Sequence, residues 1–548
     1  MRQGRKNNLP DSGSAKFDSL LRPFNNMARS MRANEGGQTN SSSGDRLPIL
    51  PLLALTAAAL MIGGYHLGVE DAEIYLPAAK KLLHPGLYPY ASEFFLSHGH
   101  LSLFGFVLAG SAKLTGMSID WTVFAWYLLT LFGTLTACWL FVSACFTSSR
   151  ARWTSMLVVT AVLTMPATNT GLLLVDPYLT ARSFSTPLTL FALTAILEHR
   201  YVHAAVTVAI TALFHPQMVM YIAFLWAVMW ATERVKTRVR EPLPVPVSGV
   251  AWIPAGFTLS PARGNYREAL YSRDYFFLYH WTWYHWLGLL APLAILAFLW
   301  RSDVRGTRAP FRMAALALIP FGLISIASAA FLCSSPDFEM FMRLQPLRSF
   351  HLITLVFVLL LTGVAGEYLA KDRKWVSAAF FIPLAIGMFF SARATYPHST
   401  HIEIPAKTSS NPWVSTLLWI RNNTPVDAVF AVDSRYLKET AMDLHGFRSI
   451  SERSALADYY KDAGVVSLFP DLADEWAQMS NATYGLNHFS AAQFKELGHE
   501  YPEVSWTVIH GAPPVELDCP YQRDSFAVCH MPASSVTDAT SLISVRSE

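Results

Sequence analysis

The chain has 548 residues, of which 52% are hydrophobic and only 15% are charged, whereas soluble domains carry about 25% charged residues. The formal net charge of +3 is small for this length and does not favour nucleic-acid binding. Several apolar runs of about 17 or more residues predict a polytopic membrane protein instead of a soluble one.

The N-terminal stretch, residues 1–46, is rich in Arg, Ser, Asn and Gly and has no apolar period. We expect it to be a disordered, basic, cytoplasmic segment. The apolar segment Leu47 to Leu67 lacks the cleavage site of a signal peptide and predicts the first span. That span would deliver Glu70 and Asp71 to the outer side of the membrane. Acids at the mouth of a span predict a functional site, and the alternative is a solvated helix N-terminus.

Residues 69–100 are predicted to form the first outer loop. Ala72 to Leu83 has helical apolar spacing, and its aromatic neighbours suit a membrane interface, so we expect one or two helices lying on the membrane. Leu101 to Met117 is apolar but short. It could cross or lie flat, and the charges after the later spans are consistent only with the second alternative.

Further apolar segments complete a predicted transmembrane helix bundle over residues 47–397, with about nine spans and ten or eleven as alternatives. The predicted spans are Trp121–Phe146, Trp153–Val175, Pro187–Leu197, residues 202–231 with a break at His215-Pro216, Leu287–Trp300, Ala314–Phe331, Leu352–Gly366 and Val376–Phe390. The side assignments conflict by one crossing between residues 232 and 283. There, basic and proline-rich stretches precede the aromatic stretch Tyr266 to Trp286, a predicted interfacial helix.

Residues 398–548 are predicted to form a soluble, extracytoplasmic α/β domain. Pro412 to Asn422 predicts a helix, and Ala428 to Val432 and Phe526 to Val528 predict strands. Cys519 and Cys529 lie ten residues apart. They would form a disulfide in an oxidising compartment or remain as two free thiols, and the sequence leaves both alternatives open.

Four polar sites share the predicted outer face. They are Glu70 with Asp71, Asp176 with Arg182, His215, and Arg343 with Arg348. A carboxylate beside a bound substrate could act as a general base, and arginines fork onto phosphate oxygens. This combination predicts a substrate with a lipid tail and a phosphate.

Each site also has a purely structural interpretation. Asp176 could cap a helix with Arg182 as its ion-pair partner, the two later arginines could anchor to lipid headgroups, and His215 could be a core residue at a kink. His98-Gly99-His100 could hold a metal, but no third ligand is identified. We therefore assign no metal site, and the cofactor remains unspecified, a divalent metal being compatible with the sequence.

The order of these motifs resembles the GT-C superfamily of integral membrane glycosyltransferases, over roughly residues 47–392. It is most similar to the branch of protein O-mannosyltransferases and lipid A aminoarabinose transferases. Glu70-Asp71 matches the family's acidic pair after the first span, although that pair is usually Asp-Glu. Leu101 to Met117 resembles its short helix before the second span, and Asp176-Pro177 its later outward-facing Asp-Pro.

A second resemblance is closer and extends into the C-terminal domain. An uncharacterised group of bacterial GT-C-like membrane proteins has stretches similar to Glu70 to Tyr75, Asp176 to Arg182 and Leu344 to His351. This group brings no known activity. It implies a bacterial inner membrane protein whose C-terminal domain is periplasmic or extracellular.

The resemblance implies an enzyme that moves a sugar from a polyprenyl-phosphate carrier to an acceptor on the outer face. Asp71 would deprotonate or orient the acceptor, and Arg182, Arg343 and Arg348 would hold the departing phosphate. The alternatives are a non-catalytic GT-C-like protein that binds lipid-linked sugar, and a transporter or lipid flippase. The charges lie at span ends and no related halves are found, which favours the enzyme over the transporter. Sugar, acceptor and oligomeric state remain open.

Overall fold

A computed structural model describes residues 47–237, 260–369, 374–405 and 409–532. The predicted disordered N-terminus and the C-terminal tail after residue 532 lie outside these residues, as does most of the proline-rich stretch in the region of conflicting charge signals. The described chain is mainly helical and ends in a small mixed sheet.

The first described range is built from helices joined by short turns. It contains α1 (Ile49–Gly63), α2 (Ala72–Leu83), α3 (Glu93–Gly99), α4 (Phe104–Thr115), α5 (Ile119–Cys145), α6 (Ser149–Ala161), α7 (Ala181–Leu197), α8 (Tyr201–Phe214) and α9 (Pro216–Thr237). The break between α8 and α9 falls at His215-Pro216, as predicted, because proline cannot continue the hydrogen-bond ladder of α8. Ser118 caps the long helix α5, its side chain accepting from the Trp121 N–H.

The middle of the chain continues this pattern. It contains α10 (Gly264–Tyr271), α11 (Trp283–Arg301), α12 (Ala309–Leu332), α13 (Phe350–Leu369) and α14 (Lys374–Thr395). Short 3-10 helices at Pro336–Leu344 and Pro346–Ser349 lead into α13. The four predicted spans Leu287–Trp300, Ala314–Phe331, Leu352–Gly366 and Val376–Phe390 fall inside α11 to α14.

Within the described ranges, five helices are long and apolar enough to cross a membrane. They are α5, α11, α12, the continuous stretch Pro336–Leu369 and Trp375–Thr395 of α14. A sixth arises if α3 and α4, bent by 90°, count as one broken span. Three further apolar helices, α1, α7 and α8, are shorter. The predicted nine to eleven spans are therefore not confirmed, since several apolar segments form helices below membrane length.

The prediction of one continuous span over Trp153–Val175 is wrong. The helix ends at Ala161, and the chain then folds back on itself, with the Val175 N–H donating to the Leu163 carbonyl at 2.7 Å. Thr168 and Gly171 take positive φ values at the tip of this hairpin. The hairpin is apolar enough to imitate a span in sequence. Non-helical backbone of this kind is tolerated inside a bundle only where protein covers it.

The predicted interfacial helix over Tyr266–Trp286 is also wrong. Residues 264–271 form α10, two 3-10 turns follow, and α11 begins at Trp283. Phe276, Phe277 and Leu278 are all buried. Phe276 and Phe277 pack in a hydrophobic core together with Trp476 of the C-terminal part. Packing against protein therefore sets the irregular path of these turns.

The C-terminal part has a five-stranded sheet in the order β2-β1-β3-β5-β4. Its elements are α15 (Pro412–Asn423), β1 (Val429–Ala431), α16 (Phe447–Ser451), β2 (Ser454–Ala455), α17 (Lys461–Val466), α18 (Ala473–Ala482), α19 (Ala491–Glu500), β3 (Val504–His510), β4 (Tyr521–Arg523) and β5 (Phe526–His530). β2, β1 and β3 are parallel, and β5 and β4 continue antiparallel. The predicted helix at Pro412 and both predicted strands are confirmed, and Cys519 and Cys529 form a disulfide.

The C-terminal part packs directly onto the first loop. Phe94 of α3 and Leu270 of α10 share a hydrophobic core with Val429 and Trp476. Helix α2 is enclosed as well, with every residue from Ala72 to Lys80 buried. The loop aromatics that the sequence assigned to a membrane interface are therefore covered largely by protein, and α2 presents the acids at its start to the C-terminal part.

Candidate functional site

The acidic pair lies on a sharp turn between α1 and α2. Gly68 and Glu70 have positive φ values. A side chain at Gly68 would meet Ile450 and Ser449 within 2.9 Å, so only glycine fits this close approach. The Glu70 N–H donates to the Leu444 carbonyl at 2.9 Å. The C-terminal part therefore fixes the backbone on which the acids stand.

Lys461, at the first position of α17, contacts both acids. Its Nζ lies 3.0 Å from Asp71 Oδ1 and also donates to Glu70 Oε2. Arg182 Nη2 lies 3.5 Å from the other Asp71 oxygen. Burial opposes ionisation of Asp71, but Lys461 and Arg182 outweigh it and hold the pKa of this carboxyl well below its ordinary value. Its two cationic neighbours therefore favour the ionised form of Asp71.

Asp176 and Arg182 form a second, buried pair. Arg182 donates from Nη2 and Nε to Asp176 Oδ2 at 2.6 and 3.1 Å. Asp176 follows the hairpin, and Arg182 stands in the first turn of α7, which Thr180 and Ser183 close with a capping box. Thr130 and Thr134, near the middle of α5, line the same small cavity. The pair therefore lies deep against α5, and Arg182 links it to Asp71.

Arg348 supplies a further cation from the opposite side. Its Nη2 donates to the Tyr275 hydroxyl at 3.0 Å, and its guanidinium stands 5.4 Å from the centre of that ring. Its charge acts on Asp71. Among the described residues, no carboxylate lies within ion-pair distance of Arg348. Burial raises the pKa of the Tyr275 hydroxyl, but Arg348 and Arg273 together bring it below its ordinary value.

We call Glu70, Asp71, Asp176, Arg182, Arg348 and Lys461 the charged cluster. It joins five of the seven residues predicted from sequence with one that was not predicted. His215, also predicted, is half-buried beside it, and its electrostatic neighbours include Arg182, Arg348 and Asp71. His98 shares Asp71 and Arg348 as neighbours and packs edge-on against Tyr75 with ring centres 5.0 Å apart.

Arg343 takes a different position from the one predicted. It lies buried on the 3-10 helix before Arg348, and its guanidinium interacts with Tyr266 of α10. The cations that act most strongly on Asp71 are Lys461, Arg182 and Arg348. The two arginines lie on separate 3-10 helices, and the chain turns between them at Gln345, which has a positive φ, so they do not share one face.

The sequence His98-Gly99-His100 was considered as an alternative metal site. Among the described residues, His98 and His100 belong to no group of three potential metal ligands. His280 lies 3.7 Å from Asp274, and His285 closes the capping box of α11. Neither of these two histidines is an ion-pair or hydrogen-bond partner of the charged cluster among the described residues.

Lys461 is the residue that the sequence did not reveal. It lies 390 positions from Asp71 and sits beside Asp462 at the start of a short helix, where a lysine is normally solvated. Arg273 and Tyr275 were also missed. Arg273 donates to the carbonyl of Tyr460, next to Lys461. No local pattern could identify these residues, since only the packing of the C-terminal part onto the loop assembles them.

No protein-family model and no curated protein matches the sequence. The likeness to GT-C glycosyltransferases therefore stays a resemblance carried by short motifs. The charged cluster and the apolar helices around it are the structural features that bear on function.

Proposed function

We propose that this chain is a membrane glycosyltransferase that takes its sugar from a polyprenyl-phosphate-linked donor and transfers it to an acceptor on the outer face. The observation that carries the proposal is the charged cluster itself. It brings together a pair of partly exposed carboxylates, three cations and the apolar helices beside them. A lipid-linked sugar phosphate needs all three: carboxylates for the acceptor or the sugar, cations for the phosphate and an apolar surface for the lipid.

The charge balance suits the phosphate of such a donor. With the adjacent Arg273, the described residues provide four cations against three carboxylates: Arg182, Arg273, Arg348 and Lys461 against Glu70, Asp71 and Asp176. Arg182 is committed to Asp176, and Lys461 to the acidic pair. Arg348, which donates to a tyrosine hydroxyl and pairs with no carboxylate among the described residues, is therefore the best candidate to fork onto a phosphate.

A row of aromatic side chains begins next to the cluster. Tyr75, Phe104, Phe184 and Phe214 form a row of rings whose successive centres lie 5.4, 5.6 and 4.8 Å apart. Tyr75 is also a neighbour of Asp71. The row connects α2, α4, α7 and α8 and gives the cluster an apolar flank, which is the side where the proposal places the lipid tail.

The electrostatics favour an orienting role for Asp71. A carboxylate whose pKa is strongly lowered is a weak base. It remains a good acceptor for a hydrogen bond from the attacking hydroxyl or amine, and it stabilises positive charge that develops on the sugar ring in the transition state. The bond from the anomeric carbon to the phosphate oxygen breaks, the bond to the acceptor forms, and the departing phosphate can take the acceptor's proton.

Ligand-dependent melting of the purified full-length protein in detergent tests the phosphate site without an acceptor. Polyprenyl phosphate should raise the melting temperature by mass action, and polyprenol should not. Arg348→Ala should abolish the shift. Arg312→Ala removes an arginine that is half exposed and pairs with the exposed Asp303, so this matched control should keep it.

Three results would contradict the proposal. Absence of a shift for either lipid at saturating concentration would argue against a lipid-phosphate site, and equal shifts for both lipids would leave only a binding groove for the tail. A phosphate-dependent shift without transfer from any sugar-loaded donor would favour the non-catalytic binding protein.

A further inference from the structure

Three side chains of the types that bind metal ions lie close together, and none of them belongs to the charged cluster. His66 follows α1, Glu403 lies between α14 and α15, and His445 precedes α16. Their potential ligand atoms all lie within 4.8 Å of one another. His445 Nε2 is 3.0 Å from Glu403 Oε2, and His66 Nδ1 is 3.8 Å from the same oxygen.

His66 is the unusual member of this group. Its side chain is fully buried, and neither ring nitrogen has a hydrogen-bond partner. The ring stacks on Tyr396 with centres 3.8 Å apart, which fixes its plane. A buried imidazole normally satisfies at least one nitrogen. Here Nδ1 faces the Glu403 carboxylate at 3.8 Å, beyond hydrogen-bond distance, where an ion between the two side chains could contact both.

The surrounding contacts orient the other two side chains as metal ligands are usually oriented. His445 Nδ1 lies 3.0 Å from the Met442 carbonyl, so its Nδ1–H can donate there and leave the Nε2 lone pair directed at Glu403. The Leu67 N–H donates to Glu403 Oε2 at 2.9 Å. Hydrogen bonds of this kind set the tautomer of a metal-binding histidine and the direction of the atoms that bind the metal.

We propose that His66, Glu403 and His445 bind a divalent transition-metal ion, with Zn²⁺ as the best fit. Two imidazoles and one carboxylate suit zinc, whose bonds of about 2.0–2.2 Å separate tetrahedral donors by roughly 3.3 Å. The two imidazoles approach Glu403 Oε2 at 3.0 and 3.8 Å, on either side of this value. The fourth position is left for water. The competing interpretation is a simple ion pair between His445 and Glu403, which leaves His66 without a role.

The ion would join three segments that are distant in sequence. The Tyr65 N–H donates to the His401 carbonyl and the Glu403 N–H to the Tyr65 carbonyl, while Val69 bridges to His445. The metal would thus lock the turn that carries Glu70 and Asp71 against the C-terminal part. This inference does not depend on the proposed glycosyl transfer, because a bound ion would stabilise the turn whatever the cluster does.

Metal content and melting temperature test the site. Full-length protein purified without chelator should contain about one zinc per chain by mass spectrometry. His66→Ala and Glu403→Gln should each lose it. His510→Ala is the matched control, since His510 pairs with Glu439 at 2.6 Å without a second imidazole, and this variant should retain the metal.

Folding defects in the variants are separated by measurements on the unmodified protein. Chelation should lower its melting temperature by several degrees, Zn²⁺ should restore it and Mg²⁺ should not. Co²⁺ added to the stripped protein should give the visible absorption of a tetrahedral site. Sub-stoichiometric metal with no rise in melting temperature on adding Zn²⁺ would overturn the proposal, as would full metal content in both ligand variants.

Discussion

Asp71 and Glu73 stand two residues apart at the start of α2, and their surroundings differ in kind. Glu73 is 1% exposed and accepts from the Arg448 and Ser449 N–H groups at 2.8 Å each. The side chain of Asp71 is 29% exposed, and its recorded partners are two cations. A carboxylate satisfied by backbone N–H groups holds a fold together, whereas a partly exposed carboxylate that contacts charged side chains can also reach a ligand.

The first way to break this comparison is to delete Glu73. Glu73→Ala leaves two buried N–H groups without an acceptor and removes a negative charge near Arg448, so it should lower the free energy of unfolding by about 3–5 kcal/mol. Chemical denaturation measures the loss. Glu73→Gln keeps one acceptor oxygen and should cost clearly less. Equal, small losses in both variants would mean that Glu73 is no structural anchor.

The second is to neutralise Asp71. Asp71→Asn should reduce sugar transfer by about 100-fold or more and change the melting temperature little, because Lys461 keeps Glu70 and Arg182 keeps Asp176 as partners. Transfer from a lipid-linked donor is the readout. Asp303→Asn, at an exposed acid, should behave like the unmodified protein. Full transfer by Asp71→Asn would exclude this acid from the reaction.

The third and smallest effect concerns pH and sharpens the structural side of the comparison. Burial and the neighbouring Asp462 raise the pKa of Asp458 from 3.8 to about 7. The folded state therefore binds an extra proton between about pH 4 and 7, and this contribution to stability is lost as the pH rises through that window. Asp458 Oδ1 accepts from the Tyr460 and Lys461 N–H groups, which asparagine can also do.

Asp458→Asn should therefore gain stability over the unmodified protein as the pH rises from 5 to 8, by about 1–3 kcal/mol. Melting curves of both proteins across this range measure the difference, and groups common to both cancel. A difference that stays constant with pH would show that Asp458 does not titrate in this window.

The same contrast explains what the sequence could predict. Charges beside apolar segments are costly and therefore stand out in a sequence. This pattern singled out five members of the charged cluster: Glu70, Asp71, Asp176, Arg182 and Arg348. Glu73 belongs to the same acidic stretch and looked no different. Its structural role depends on backbone N–H groups of α16, some 375 positions away, and no local pattern reports them.

Helices long and apolar enough to dominate their surroundings were predicted well, as α11 to α14 illustrate. The failures share one cause. The hairpin after α6 and the turns before α11 are as apolar or aromatic as helices, and their backbone is set by tertiary packing. Hydrophobic periodicity cannot separate a buried helix from a buried irregular segment of equal length.

The position of Lys461 also has a consequence for how the protein is made. Translation supplies Asp71 and Arg182 early, but Lys461 arrives 390 positions after Asp71. A nascent or truncated chain that ends before residue 461 carries the acidic pair without the cation that spans it. The charged cluster therefore becomes complete only after the C-terminal part has been synthesised and has packed onto the first loop. Until then Lys461 cannot contact the acidic pair.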